Sequence, residues 1–353
     1  MRNLIRLAMI AAAALTAGET VAQSASGSLT FASWGGAYAR SQVLAYLDPF
    51  SQQTGAWVNV VDFRGEMRRV RDQVASGRVT FDVVDLEGPD AIAGCADGTL
   101  QPSGDIELAR GADGSAPQAD YRPDMLLPCA IGTVVFATVI AYDESAQVGA
   151  QPTSLADFFD LERFPGTRGL RRTPRVNLAW ALLPDGVAPE QVYAMLESEA
   201  GLDRAFAVLA RIKPAIVWWT DGEAAIDLLR QRRVMMTSAF NGRVFAAATI
   251  WAQPVKAVWD RAVWAYDDWA IPAGAPNAAQ ARELIAFAGS PERQALQANE
   301  IAYGPARRSA EALVASKVQP FLPTAAGNQA TAFASDSAWW AEHDDRPTPR
   351  FEA

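Results

Sequence analysis

The 353-residue chain has one histidine, His343, two cysteines, Cys95 and Cys129, and three lysines. Each scarcity excludes a class of chemistry. A histidine-rich metal site, a four-cysteine zinc site and a Ser-His-Asp triad all need residues that are missing here, and His343 lies close to the C-terminus. Lys and Arg number 31 against 40 Asp and Glu, a net charge of −9, which argues against non-specific binding to nucleic acid or anionic membrane. No run of apolar residues is long enough to cross a bilayer core of about 30 Å. What remains is a globular composition, half hydrophobic and one-fifth charged. It gives room for two ordinary domains and a core that needs no metal.

The segment 1–22 reads as an export signal. Arg2 and Arg6 form a positive start, Leu7–Leu15 is uncharged and apolar, and Thr20-Val21-Ala22 supplies the small residues read at a cleavage site. No cysteine follows the apolar run, so the expectation is a periplasmic protein with no lipid anchor. Export changes how the two cysteines read. In an oxidising compartment the pair Cys95 and Cys129 is expected to be a disulfide, the alternative being two buried thiols. Between them, 104–120 is polar and poor in apolar anchors, a stretch that a crosslink would restrain.

From Ser28 onward short apolar runs alternate with helix-period segments. Leu29–Ser33, Val58–Phe63 and Phe81–Leu86 read as strands, and Val43, Leu44, Leu47 and Phe50 recur at helical spacing before Gly55. Strand–helix–strand–helix–strand in so short a span implies right-handed crossovers and a parallel sheet. Such sheets bind ligands at the carboxyl ends of their strands. Those ends carry Ser33-Trp34-Gly35-Gly36, Asp62 and Asp85-Leu86-Glu87-Gly88. The run 131–142 is long enough to be shared between two lobes. A second α/β series follows, with strands expected at Ile216–Trp219, Val234–Ser238, Val255–Val258 and Trp269–Ile271. Helices are expected at Ser154–Leu161, Pro189–Glu199, Gly201–Lys213 and Asp221–Gln231.

Several segments together resemble the solute-binding subunits of spermidine/putrescine-type ABC transporters. They are LTFASWGGAYARSQVLAYLDPFSQQTG, FDVVDLEGPDAIAGCADGTL, GTVVFATVIAYD and DWAIPAGAPNAAQARELIAFAGSPERQALQANEIAYGP. The resemblance covers essentially the whole mature chain. It implies a type II periplasmic binding protein: two α/β lobes joined by two crossover strands, with the ligand cleft between them. The lobes would comprise 28–138 plus 269–308 and 139–268 plus 309–353. It implies a binding protein, not an enzyme, with no cofactor and no metal. It would act as a monomer that delivers a polyamine-like cation to a membrane permease.

Carried over position by position, the resemblance places Trp34, Tyr38, Asp85, Glu87, Phe240, Asp267 and Tyr303 at the ligand. It also departs from the polyamine pattern. Thr173 and Val176 stand where the second lobe would supply two carboxylates, and Arg171, Arg172 and Arg175 surround them. A buried dication needs an anion at each end. Asp85, Glu87 and Asp267 serve one end only, unless Asp221 or Glu223 reaches in. A rival therefore keeps the fold and changes the ligand to a carboxylate- or phosphonate-bearing solute held by Arg175, Arg243 or Arg307. A second rival, of another class, is an exported hydrolase using Asp85 and Glu87 as an acid/base pair. Other readings stay open. Trp34 could cap a sheet edge, and Asp85 and Glu87 could be first-turn charges of the helix after Pro89. Of Trp218 and Trp219 only one can face the cleft, Trp219 being the candidate. The Arg171–Arg175 cluster and His343 read most simply as surface.

Overall fold

The computed structural model describes residues 27–147 and 149–353. The expected export signal, 1–22, lies outside them. In the amino-terminal part, β1 (Ser28–Ser33) pairs in parallel with β2 (Trp57–Asp62) and β3 (Val83–Glu87). The intervening chain is helical from Gly36 to Thr54 and stops at Gly55, whose φ of 76° only glycine adopts freely. The remaining strands are β4 (Leu126–Leu127), β5 (Ala130–Asp143), β6 (Arg168–Arg171), β7 (Ile216–Trp219), β8 (Met236–Phe240), β9 (Val255–Ala270), β10 (Gly304–Pro305) and β11 (Phe333–Ala334).

The sheet runs β2-β1-β3-β9-β5-β8-β6-β7. Two parallel three-strand groups thus flank a central antiparallel pair, β5 and β9, of 14 and 16 residues. Because β5 and β9 pair with both groups, the two lobes share a continuous two-strand hinge. This is the periplasmic binding-protein fold, as expected from the sequence.

Two strands differ from the expectation. Val255–Val258 and Trp269 are not separate strands but the two ends of β9. The polar Asp260-Arg261 interrupts the apolar pattern beside a register shift at Thr138/Ile140, and Arg261 takes φ 55° there. β6 was not anticipated, because RGLR does not look like a buried strand. It is buried because the Arg168 guanidinium donates to the carbonyls of Phe158, Asp160, Gly166 and Phe164, which satisfies its donors inside the lobe.

In the first lobe Trp269 packs under Phe31 and Tyr46, with ring centroids 4.6 and 5.2 Å away. The second lobe closes around Phe158, Trp180 and the helix Glu199–Ile212. The helix Ser337–His343 lies against Gly88–Ala96 of the first lobe, while Trp340 donates to the Tyr193 hydroxyl of the second. His343 is not a free surface residue: its ring stacks on Trp339 and its Nε2 stands 3.3 Å from Glu197. Arg307 is likewise committed to the fold. It is fully buried, 2.6 Å from Asp120, and donates to the Gly289 and Ala109 carbonyls, so it cannot meet a ligand.

Cys95 and Cys129 form a disulfide. It ties the helix Gly88–Ala96 to the residue before β5 and closes the polar stretch that Asp120 and Arg307 anchor from within. A loop of this length is worth about 4 kcal/mol in the chain-entropy account. Reduction is expected to lower the unfolding free energy by roughly that amount, read by denaturant titration with and without reductant. An unchanged midpoint would remove the crosslink from the stability of the lobe.

Candidate functional site

The carboxyl ends of the parallel strands of both groups converge on one narrow cavity. β1 leads into Trp34, β3 ends at Glu87, β6 at Arg171, and β8 at Phe240; β7 leads into Thr220 and Asp221. Tyr38, Phe136 and Tyr303 complete the aromatic wall with Trp34 and Phe240, and Asp267 of β9 lies among them. The rings meet edge to face: Tyr38 on Tyr303 at 5.3 Å, and Phe136 on Phe240 at 5.4 Å. The space left free between these side chains is about 30 Å³.

Ionisable groups of both signs surround the cavity. Arg64, Arg171 and Arg243 face Glu87, Asp221 and Asp267. Most of these charges already have partners. Arg171 donates to Glu87 at 2.5 Å, and Arg175 reaches the other Glu87 oxygen at 3.2 Å. Burial pushes the Glu87 carboxyl up, but the two guanidiniums outweigh it and hold the group below its ordinary value. Asp221 accepts from the Glu223 amide and stands 3.5 Å from Arg64. Arg243 pairs with Glu223 and donates to the Gly35 carbonyl.

Two buried atoms on ionisable side chains of the lining have no hydrogen-bond partner: Asp267 Oδ1 and Arg243 Nε, on residues 5% and 2% exposed. Burial, with Asp85, Glu87 and Asp268 nearby, pushes the Asp267 carboxyl far above its ordinary value, and Arg171 only partly offsets this. An ammonium placed there would supply the missing partner. Trp34 Nε1 and Tyr38 Oη also lack full hydrogen bonds, but both groups act on Asp85 behind the wall.

Seven of the residues expected at the ligand line the cavity: Trp34, Tyr38, Glu87, Phe240, Asp267, Tyr303 and Arg243. Four do not. Asp85 pairs with Trp269 across β3 and β9, two residues deeper than Glu87, and is sealed behind the aromatic wall. Its Oδ2 accepts from Gln42, which in turn accepts from Ser33, each at 2.5 Å. Trp219 is 3% exposed and packs edge-on against Phe240, behind the cavity. Thr173 and Arg175 line an outer groove instead, and Arg175 is held by Glu87, Asp90 and Asp344.

The expectation missed Arg64 and Phe136 and read Arg171 as surface. Arg171 lies over both the Trp34 and Phe240 rings, at 5.7 and 5.3 Å. Phe136 could have been found as an alternating position of the hinge strand. For Arg171 the sequence offered only a basic cluster.

Burial pushes Asp85 up to about 7, with hydrogen bonding to Gln42, Tyr38, Trp269 and Trp34 acting against it. In the unfolded chain an Asp titrates near about 4. Between these values the folded protein keeps a proton that the unfolded chain has lost. The group's contribution to stability is thus full below about 4 and is lost as pH rises through about 7. Asp85→Asn, which keeps an acceptor for Gln42, is expected to stabilise the ligand-free protein at pH 8 more than at pH 5. Denaturant titration at both values checks it; a pH-independent difference would contradict it.

The sequence profile of bacterial extracellular solute-binding proteins matches residues 45–324. The gamma-aminobutyric acid-binding protein of Pseudomonas aeruginosa is 38% identical over 332 residues, covering 94% of this chain and 92% of its own length. Among solved structures, the A. tumefaciens binding protein AgtB in complex with agropinic acid superposes with a TM-score of 0.82 at 28% identity, over 92% of this chain and 98% of its own. A solved GABA receptor superposes with a TM-score of 0.77 at 29% identity, over 92% of this chain and 97% of its own. Among the described residues no helix is long and apolar enough to cross a membrane. The chain belongs to the bacterial extracellular solute-binding protein family.

Proposed function

We propose that this protein is the periplasmic solute-binding subunit of an ABC importer and that its ligand is a small ω-amino acid of the γ-aminobutyric acid type. One observation carries the reading: the wall holds one unpartnered carboxylate oxygen, Asp267 Oδ1, and one unpartnered guanidinium nitrogen, Arg243 Nε. A zwitterion completes both. Its ammonium would meet Asp267 among the aromatic faces, and its carboxylate would meet Arg243. A lining with ionisable groups of both signs suits a zwitterion, and the name of the P. aeruginosa relative agrees with it. Closure follows from contact with both lobes, since only differential contacts shift the open–closed population. The closed form then docks on the permease, with the binding protein acting as a monomer.

The polyamine expected from the sequence fits less well. Its second ammonium needs a second free carboxylate, and Asp221 is already a helix cap paired with Arg64. Arg171 already lies over the Trp34 and Phe240 rings, where a ligand cation would stack. The hydrolase reading is weaker still. Asp85 is sealed from the cavity, and Glu87 is held ionised by two guanidiniums, unsuited to donating a proton.

Calorimetry at neutral pH is expected to show saturable binding of γ-aminobutyric acid and none of putrescine or spermidine at matched concentration. Asp267→Asn removes the anion at nearly constant shape and is expected to weaken the amino acid about 100-fold. Diamine binding, or an Asp267→Asn protein with unchanged affinity, would overturn the proposal.

A further inference from the structure

Beside this cavity lies a larger groove of about 950 Å³, open to solvent at the mouth of the cleft. Three residues line both spaces: Trp34, Glu87 and Arg171. They stand between the narrow inner cavity and a roomy, charged groove that includes Arg68, Arg69, Asp72 and Asp344.

The wall is anchored on both lobes. Glu87 ends β3 and Arg171 ends β6, so their 2.5 Å hydrogen bond spans the cleft. On the Glu87 side the chain of charges continues to Arg175 and from there to Asp90, 2.9 Å away. On the other side the Arg171 guanidinium rests on Trp34. Trp34 lies so close over Gly65 that a Cβ there would come within 2.0 Å of its ring. None of these contacts involves either of the two unpartnered atoms assigned to the solute's ends.

We propose that the Glu87–Arg171 pair sets the maximum length of the solute, as a specificity-determining partition between the chamber and the outer groove. The inference rests on reading the chamber as the solute site. A solute that fits leaves the pair intact. A longer one of the same end groups has to part it, and separating charges in a mostly buried setting is costly. Discrimination then follows from length at a fixed pair of end groups. Removing Arg171 is structurally tolerable, because Glu87 keeps Arg175 as a counter-ion. With Arg171 gone the chamber opens into the groove and the surplus chain of a long solute has somewhere to go.

The test is a calorimetric length series of α,ω-amino acids from four to eight carbons, with diamines and dicarboxylates of the same lengths. Wild type is expected to lose at least about tenfold in affinity from the shortest to the longest member of the series that binds. Arg171→Ala should flatten that gradient to less than about threefold, while Arg171→Lys, which keeps the pair, should preserve it. Circular dichroism establishes that both variants are folded, and Glu87→Gln supplies a second weakened pair if Arg171→Ala is not. A wild type without a length gradient, or an Arg171→Ala protein that loses all lengths equally, overturns the partition. Failure of the functional reading shows separately: the diamine or the dicarboxylate series would bind instead, and its own gradient would then judge the partition. Binding of none of the three series overturns both.

Discussion

Charges buried between two lobes need partners, and in this cleft several of the pairs take one half from each lobe. Arg171 of the second lobe meets Glu87 of the first, and Arg64 of the first meets Asp221 of the second. Glu223 accepts the Ala37 amide at the start of the first helix, while Arg243 donates to the Gly35 carbonyl. That last junction depends on backbone shape. Gly36 takes φ 56°, and a Cβ there would stand 2.2 Å from the Glu223 carboxylate. With the lobes apart, these groups would be returned to water, which costs them little; once buried, none is tolerable alone. The pairs thus make closure cooperative and fix one docking of the lobes. They stop short of satisfying Asp267 and Arg243 Nε, and that remainder is where a ligand adds differential stability.

Much of the architecture was legible in the sequence because it rests on apolar periodicity. The strands Leu29–Ser33 and Ile216–Trp219 announce themselves by β-branched and aromatic residues between turns. Elements held by polar satisfaction were not legible. β6 is a strand of two arginines, a glycine and a leucine, and only the four carbonyls around Arg168 explain its burial. β9 looked like two strands because its charged bulge sits in the middle.

The site shows the same division. Strand alternation puts Asp85, Glu87 and the cross-strand Asp267 on one face, as residue types alone would suggest. It does not give depth. Asp85 lies two residues, about 7 Å, further from the strand end than Glu87 and falls behind the aromatic wall. Nor does it give partnership. Glu87 looked like a ligand anion, yet Arg171 and Arg175 claim it; Arg171 looked like surface and Arg175 like a partner for a ligand carboxylate. Which carboxylate is left over is a tertiary property, and in the function proposed above that residue sets the charge of the ligand.

A crystal structure of the protein with γ-aminobutyric acid bound tests the central claim most directly. The account predicts the ammonium within about 3 Å of Asp267 Oδ1, the carboxylate on Arg243, and the Glu87–Arg171 pair unbroken. A ligand lying in the outer groove, or one with its carboxylate turned toward Asp267, would contradict it.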